Sequence, residues 1–183
     1  MKKLILFGML CSTLLAPVSA QRFFTRDARV QFNSDAPMEK IEAVNKSGTA
    51  VVDSKTGKME WKVLIKNFIF EKALMQEHFN ENYMESGKYP NAIYKGEITN
   101  LSAVHFDQDG TYKVQTRGVI EIHGVKKEIE LPGTIVVSKG AVKINATFLL
   151  ACADFNIQIP GVVRDKIAKE VAVKIDASLN PMH

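Results

Sequence analysis

The chain has 183 residues, of which 46% are hydrophobic and 24% are charged, and its formal net charge is +4 at pH 7. That length and composition suit one domain with a single hydrophobic core. Basic residues are scattered singly among acidic ones, whereas nucleic-acid-binding surfaces carry basic stripes or patches. The sequence therefore excludes nucleic acid as an expected partner.

Residues 1–20 have the organisation of a secretory signal peptide: two early lysines, an apolar run and a small-residue site ending at Ala20. The apolar run is interrupted by Cys11 and Pro17 and is too short to span a bilayer. We predict export to the periplasm or to the outside of the cell. The mature domain, residues 21–183, is predicted to have no transmembrane segment.

Alternating apolar and polar residues predict strands along the mature chain. The longer alternating runs are 59–65, 112–122, 129–137, 142–150 and 171–179, and shorter runs are 28–32, 38–44 and 49–52. Three turn pairs predict hairpins: Asp109-Gly110, His123-Gly124 and Lys139-Gly140. Eight or nine such strands form an antiparallel sheet that either closes into a barrel or folds into a sandwich, and the pattern alone leaves both open.

One segment departs from the alternation. Between strands ending at Phe70 and starting at Asn91, apolar and aromatic residues recur at helical spacing, which predicts a helix from Glu71 to Ser86. Gly87 is predicted to end it in a left-handed conformation. Before the helix, the apolar positions shift by one residue, which predicts a β-bulge near residues 66–67.

The same segment carries a family resemblance. Leu-Met-Gln-Glu-His-Phe-Asn-Glu-Asn-Tyr-Met at 74–84, Lys-Tyr-Pro-Asn-Ala at 88–92 and Tyr-Lys-Gly at 94–96 resemble the signature of the YceI-like family. Shorter matches lie at 32–37, 118–127 and 154–160. Members of that family are lipocalin-like β-barrels to which binding of a polyisoprenoid lipid is attributed. The resemblance implies an eight-stranded antiparallel barrel, a helix (about 71–86) packed at or over the barrel end, and the occurrence of homodimers.

Small residues on the apolar face, Gly96, Gly118, Gly133 and Ala146, leave room for an elongated cavity. Alternatively, strand glycines mark bends or let an aromatic ring lie flat on the backbone. With the resemblance, we expect the cavity. The predicted ligand-binding residues are Trp61, Phe68, Phe70, Met75, His78, Phe79, Tyr83, Tyr94, Gly96, Gly118, Gly133 and Phe148.

No catalytic motif accompanies these residues. The histidines His78, His105, His123 and His183 show no metal-ligand spacing, and the sequence contains no nucleophile elbow or phosphate-binding glycine loop. We therefore predict no cofactor, no metal and no enzymatic activity. Cys152 is expected to be a buried inert thiol, and Asp154 to accept hydrogen bonds from backbone amides at a strand exit.

The sequence leaves two functions open. The resemblance implies a protein that holds a polyisoprenoid, a quinone or a similar long apolar molecule inside the barrel. The alternative is a cell-envelope or stress-response interaction protein with a filled barrel and no internal ligand. Whether the interior is empty or filled discriminates between the two.

Overall fold

The structure is a computed structural model that describes residues 22–182. The predicted signal peptide, residues 1–20, lies outside the described residues. The strands are β1 Arg22–Asp35, β2 Lys40–Asp53, β3 Lys58–Leu64, β4 Ile69–Phe70, β5 Asn91–Ile98, β6 Gly110–Ile122, β7 Val125–Ser138, β8 Ala141–Ala151 and β9 Glu170–Pro181. Helix α1 is Ala73–His78 and continues as a π-helical turn, Phe79–Tyr83. Short 3-10 turns cover Ile65–Asn67, Leu101–Ala103, Cys152–Phe155 and Gly161–Val163.

Eight strands close into an antiparallel barrel, as predicted. Each neighbour in the ring β1-β2-β3-β5-β6-β7-β8-β9 is hydrogen-bonded to the next, and β9 returns to β1. The two-residue strand β4 pairs with β2 beyond the end of β3 and adds no position to the ring. Closure leaves no unpaired sheet edge in the ring. Among residues 22–182, no helix has both the length and the apolar character needed to span a bilayer.

In the alternating runs, the apolar residues face the inside of the barrel and the polar residues face the outside. In β3, Met59, Trp61 and Val63 are buried, whereas Glu60 and Lys62 are exposed. This is the arrangement that a strand with one solvated face requires. The runs 38–44 and 49–52 were predicted as two strands, but residues 40–44 and 49–52 both belong to the single long strand β2, Lys40–Asp53. Its pairing with β1 shifts register near Ala28, so the break in the pattern is an irregularity within one strand.

Two of the three predicted hairpin turns are correct. His123-Gly124 and Lys139-Gly140 both have positive φ at the two central residues, which defines the type I′ turn that matches strand twist. The Asp109-Gly110 prediction is wrong. Residues 99–109 instead fold back over the barrel end, where Val104 and Phe106 are buried.

The helix is shorter than predicted and changes type along its length. Its α-helical part ends at His78, and the amide of Met84 then bonds the carbonyl of Phe79 at 2.9 Å in a π-type bond. The wider turn accompanies burial of Met84 against the core. The left-handed residue is Glu85, with φ 41, and not Gly87. The predicted bulge at 66–67 is a 3-10 turn that ends β3 before β4 begins.

The two barrel ends are built differently. At one end, which we call the closed end, Phe106 from the 99–109 connection stacks on Phe23 with ring centroids 5.7 Å apart. Nearby strand ends contribute fully buried Val142 and Leu179, which pair across β8 and β9. The opposite end, the open end, carries two covering segments: the helical segment, residues 73–86, and the C-terminal cover, residues 152–169.

Candidate functional site

A cavity of about 620 Å³ occupies the barrel interior below the open end. Its deep wall is formed by inward-facing strand residues such as Val114, Ile135 and Ile144, and its upper wall by residues of the two covering segments. The volume lies within the range of ordinary ligand sites, and the lining is mostly apolar. The interior is therefore not filled.

Ten of the twelve predicted ligand-binding residues line this cavity. They are Trp61, Phe68, Phe70, Met75, His78, Phe79, Tyr83, Tyr94, Gly133 and Phe148. Ala146, the fourth small residue noted in the sequence, lines it as well. His78 belongs to the exposed side of the lining, near the mouth, whereas Trp61 and Tyr94 are buried.

Gly96 and Gly118 were predicted to bind the ligand, but neither of them lines the cavity. The two glycines are direct cross-strand partners on β5 and β6. A Cβ atom on Gly118 would meet the Lys95 carbonyl and lie 2.5 Å from the Gly96 Cα. A Cβ atom on Gly96 would meet the Tyr94 hydroxyl group. These glycines therefore allow close backbone approach and make room for the tyrosine ring, which is the alternative that strand glycines left open.

An aromatic cluster forms the wall beside the mouth. Phe79 of the π-helical turn lies 5.0 Å from Phe70, 5.4 Å from Phe32 and 5.7 Å from Phe68, measured between ring centroids. Separations of this size, with stacked, tilted and edge-on geometries, are those that aromatic pairs prefer. Phe32 was missed as a site residue, although it ends the predicted strand run 28–32 on the same alternating face as Val30.

A short chain of hydroxyl groups crosses the deep wall. The Thr116 hydroxyl donates to the Leu131 carbonyl at 3.2 Å, and the Tyr94 hydroxyl donates to Thr116 Oγ1 at 3.0 Å. Burial raises the pKa of the Tyr94 phenol, although its hydrogen bond with Thr116 acts in the opposite direction. The phenol therefore stays neutral at physiological pH, and these two hydroxyl groups are already partnered within the protein.

Charged side chains in the lining lie at the mouth. Lys72 donates to Oε1 of Glu39 at 3.0 Å, which joins the helical segment's start to the β1-β2 turn. Lys166 of the C-terminal cover lines the mouth from the other side. This distribution, with charges outside and apolar groups inside, suits a molecule whose long apolar part enters the barrel.

His123 fastens both covering segments to the rim of the barrel. Its Nδ1 donates to the Phe155 carbonyl at 3.0 Å, because a carbonyl oxygen can only accept, and its Nε2 meets Oε2 of Glu85 at 2.9 Å. Each ring nitrogen of His123 therefore contacts a different covering segment. The ring also meets Tyr89 edge-on at 4.7 Å. This turn histidine therefore has a positioning role that the sequence did not indicate.

The remaining residues singled out from the sequence are Cys152 and Asp154. Cys152 is half-buried and lines the cavity, and burial raises the pKa of its thiol, which lowers the thiolate fraction. Asp154 pairs with the Lys127 ammonium group and not with backbone amides as expected. Within residues 22–182, no three His, Cys, Asp or Glu side chains are grouped so that they could hold a metal ion.

The C-terminal cover was the least visible part of the site in the sequence. It contributes Phe155, Ile157, Ile159, Val163 and Ile167 to the lining. Asn156 supports its first turn in a left-handed conformation, with φ 57, which asparagine tolerates better than most residues. The signal that could have revealed it is the alternation of the apolar residues Phe155, Ile157 and Ile159.

Solved structures with the same fold come from several bacteria. A polyisoprenoid-binding domain from Saccharophagus degradans superposes with a TM-score of 0.78 at 10% identity, over 89% of this chain and 99% of that one. BcnA from Burkholderia cenocepacia gives a TM-score of 0.68 at 16% identity, over 83% of this chain and 95% of that one. At these identities the likeness shows a common fold.

A Campylobacter jejuni YceI protein gives a TM-score of 0.58 at 15% identity, with 100% of both chains covered. No curated protein matches this chain. The family model of the YceI-like domain, in contrast, matches residues 22–179, which is almost the whole barrel from β1 to β9. The chain therefore belongs to the family of proteins with a YceI-like domain.

Proposed function

We propose that this protein binds a long apolar lipid, of the polyisoprenoid or isoprenoid-quinone class, inside its barrel. The observation that carries the proposal is the cavity of about 620 Å³, whose depth is apolar and whose charged groups lie only at the mouth. A tail that buries roughly 400 Å² of apolar surface gains about 10 kcal/mol before ordering costs. Those costs take a large part of the gain and still leave room for useful affinity.

The lining suits a tail better than a compact polar ligand. Met75 and Met84 line the cavity beside the aromatic cluster, and unbranched thioether side chains adapt to an irregular apolar chain. The hydroxyl groups of Tyr94 and Thr116 are hydrogen-bonded to each other and to the backbone, so they do not demand a polar ligand. The family membership supports the same class, since one solved relative of this fold is a polyisoprenoid-binding domain.

We also infer a binding role and not a catalytic one, performed outside the cytoplasm. The first inference is supported by a site whose deep groups are apolar or neutral. The second is supported by residues 1–20, which have the pattern of a signal peptide. The alternative of a filled barrel without an internal ligand does not fit the cavity volume.

The test is mass spectrometry of protein expressed with residues 1–20 and purified without detergent, beside a mock purification. An organic extract is expected to contain a prenyl lipid or quinone in near-stoichiometric amount. The intact mass of the same protein reports whether residues 1–20 have been removed. A clean extract, together with no binding of added prenyl lipids, would overturn the proposal.

A matched pair of variants locates the ligand. Ala146 lines the cavity, whereas the next residue, Thr147, is exposed on the outer face of β8. We expect Ala146→Phe to fold, as judged by circular dichroism, and to lose the lipid, because the added ring occupies the cavity. Thr147→Phe should retain it. Equal retention by both folded variants would place the ligand elsewhere.

A further inference from the structure

Three chain segments meet at the open end, and each presents an exposed apolar side chain there. The side chains are Met38 of the β1-β2 turn, 70% exposed, Leu74 of the helical segment, 61% exposed, and Val162 of the C-terminal cover, 92% exposed. We call these three residues the apolar rim. Exposed apolar residues concentrated at one opening indicate a contact surface more strongly than scattered single ones do.

Direct contacts hold the three segments together. The Met38 amide donates to the Asp165 carbonyl at 2.8 Å, which ties the β1-β2 turn to the C-terminal cover. The ion pair between Lys72 and Glu39, with 3.0 Å between Nζ and Oε1, ties the same turn to the helical segment. The apolar rim is therefore one assembled surface and not three independent loops.

The apolar rim is continuous with the cavity wall. Leu74 itself lines the cavity, and so do Glu39, beside Met38, and Val163, beside Val162. A molecule that leaves the cavity through the mouth passes these residues. Elsewhere, exposed apolar residues such as Leu149 lie singly on the outer wall of the barrel.

We propose that the apolar rim docks on a phospholipid bilayer, so that a lipid tail passes between membrane and cavity without crossing water. The inference rests on the proposed function, because a long apolar tail is poorly soluble and has to be taken from, and returned to, a lipid phase. Val162, at the tip of the C-terminal cover, enters the acyl region, as apolar residues of peripheral proteins do.

The charges around the rim suit the headgroup layer of a bilayer. Arg164 and Lys166 follow Val162 on the same segment and are exposed, where they meet lipid phosphates while their stems stay near the apolar boundary. The acidic groups nearby are partly neutralised, since Glu39 pairs with Lys72, and Asp35 pairs with Lys40 at 3.7 Å. The acidic residues Asp165 and Glu71 keep the net charge around the apolar rim low. Docking therefore depends on apolar contact and only weakly on the salt concentration.

The test is flotation with vesicles of pure phosphatidylcholine, together with transfer of a fluorescent prenyl lipid between donor and acceptor vesicles. Val162→Glu and Met38→Glu are expected to reduce both co-flotation and transfer by about tenfold each, as loss of one buried apolar side chain predicts. The matched control is Met182→Glu, since Met182 is 48% exposed at the closed end, and it should change neither.

The outcomes separate this proposal from the proposed function. Lipid retained by the protein but no flotation of the wild type would overturn docking and leave lipid binding intact. Flotation without any bound lipid would support docking and count against the internal ligand. Equal losses in the rim variants and in Met182→Glu would overturn the rim as the contact surface. A wild-type dimer that Val162→Glu converts to monomer, without loss of flotation, would assign the rim to a second copy of this chain.

Discussion

The two ends of this barrel use the same kind of residue for opposite purposes. At the closed end, Leu179 has no exposed surface and packs in a continuous core with Phe23 and Phe106. At the open end, Leu150 of β8 borders the cavity and is only partly buried. A leucine side chain that is surrounded by protein atoms stabilises the fold. A leucine side chain that borders a cavity contributes less to stability and more to the binding of a ligand in that cavity. Stability and binding are thus assigned to different ends.

The difference between the two ends is tested most directly by truncating one leucine at each end. Leu179→Ala is expected to lower the free energy of unfolding by about 4 kcal/mol, because it leaves a cavity in a packed region. Leu150→Ala should cost only about 1 kcal/mol, because the side chain already borders the cavity. Both free energies are measured by urea unfolding, provided that the m-value of each variant equals that of the wild type.

Lipid retention should show the reverse order. Leu150→Ala is expected to lose part of its bound lipid, whereas Leu179→Ala, measured where it remains folded, should keep it. Equal destabilisation by the two substitutions would mean that the open end is packed as tightly as the closed end. The division between a stabilising end and a binding end would then be wrong.

The second comparison concerns two glycines on neighbouring strands. Gly118→Ala is expected to cost at least about 2 kcal/mol, because its Cβ would lie 2.5 Å from the Gly96 Cα and strain the sheet. Gly133→Ala should cost less than about 1 kcal/mol, since its Cβ would lie 3.3 Å from the Asn145 carbonyl oxygen beside the cavity. Thermal unfolding of both variants checks the difference. Similar melting temperatures would contradict the packing role of Gly118.

These glycines also show what sequence could and could not predict. The alternation of apolar residues predicted the barrel strands well, because a strand with one wet face has to alternate. A glycine facing a cavity and a glycine that makes room for Tyr94 have the same pattern in sequence. Only the cross-strand pairing of Gly96 with Gly118 distinguishes them, and pairing is a property of register.

The covering segments were harder to predict than the barrel. The helical segment changes from an α-helix to a π-helical turn at Phe79, which brings Met84 into the core. Helical periodicity assumes one residue spacing throughout and cannot anticipate such a change. The C-terminal cover has no long regular element, and tertiary contacts such as the bond from the Ala168 amide to the Ser34 hydroxyl hold it in place. The sequence therefore predicted the cavity wall better than its mouth.

The last prediction compares access to the two ends in the folded protein. Cys152 lines the cavity, so an uncharged alkylating reagent can reach it through the mouth without unfolding the barrel. A Val142→Cys variant, made together with Cys152→Ser, places a thiol at the closed end in a position without exposed surface. We expect Cys152 to react in the native state and the cysteine at 142 to react only through unfolding, which added urea accelerates.

The pH dependence of the Cys152 reaction has a definite sign. Because burial raises the pKa of this thiol, its alkylation rate should keep rising with pH beyond the point at which an ordinary free thiol levels off. The same raised pKa makes the stability of the fold depend on pH. The contribution of the Cys152 thiol to the free energy of unfolding is present at pH values below the pKa of an ordinary thiol, and it is lost as the pH rises through the raised pKa. Added prenyl lipid should slow alkylation of Cys152 in the native state, because it blocks the route through the mouth. It should slow the cysteine at 142 only to the extent that it lowers the unfolded population. Unchanged alkylation of Cys152 in the presence of bound lipid would mean that the lipid does not cover the open end.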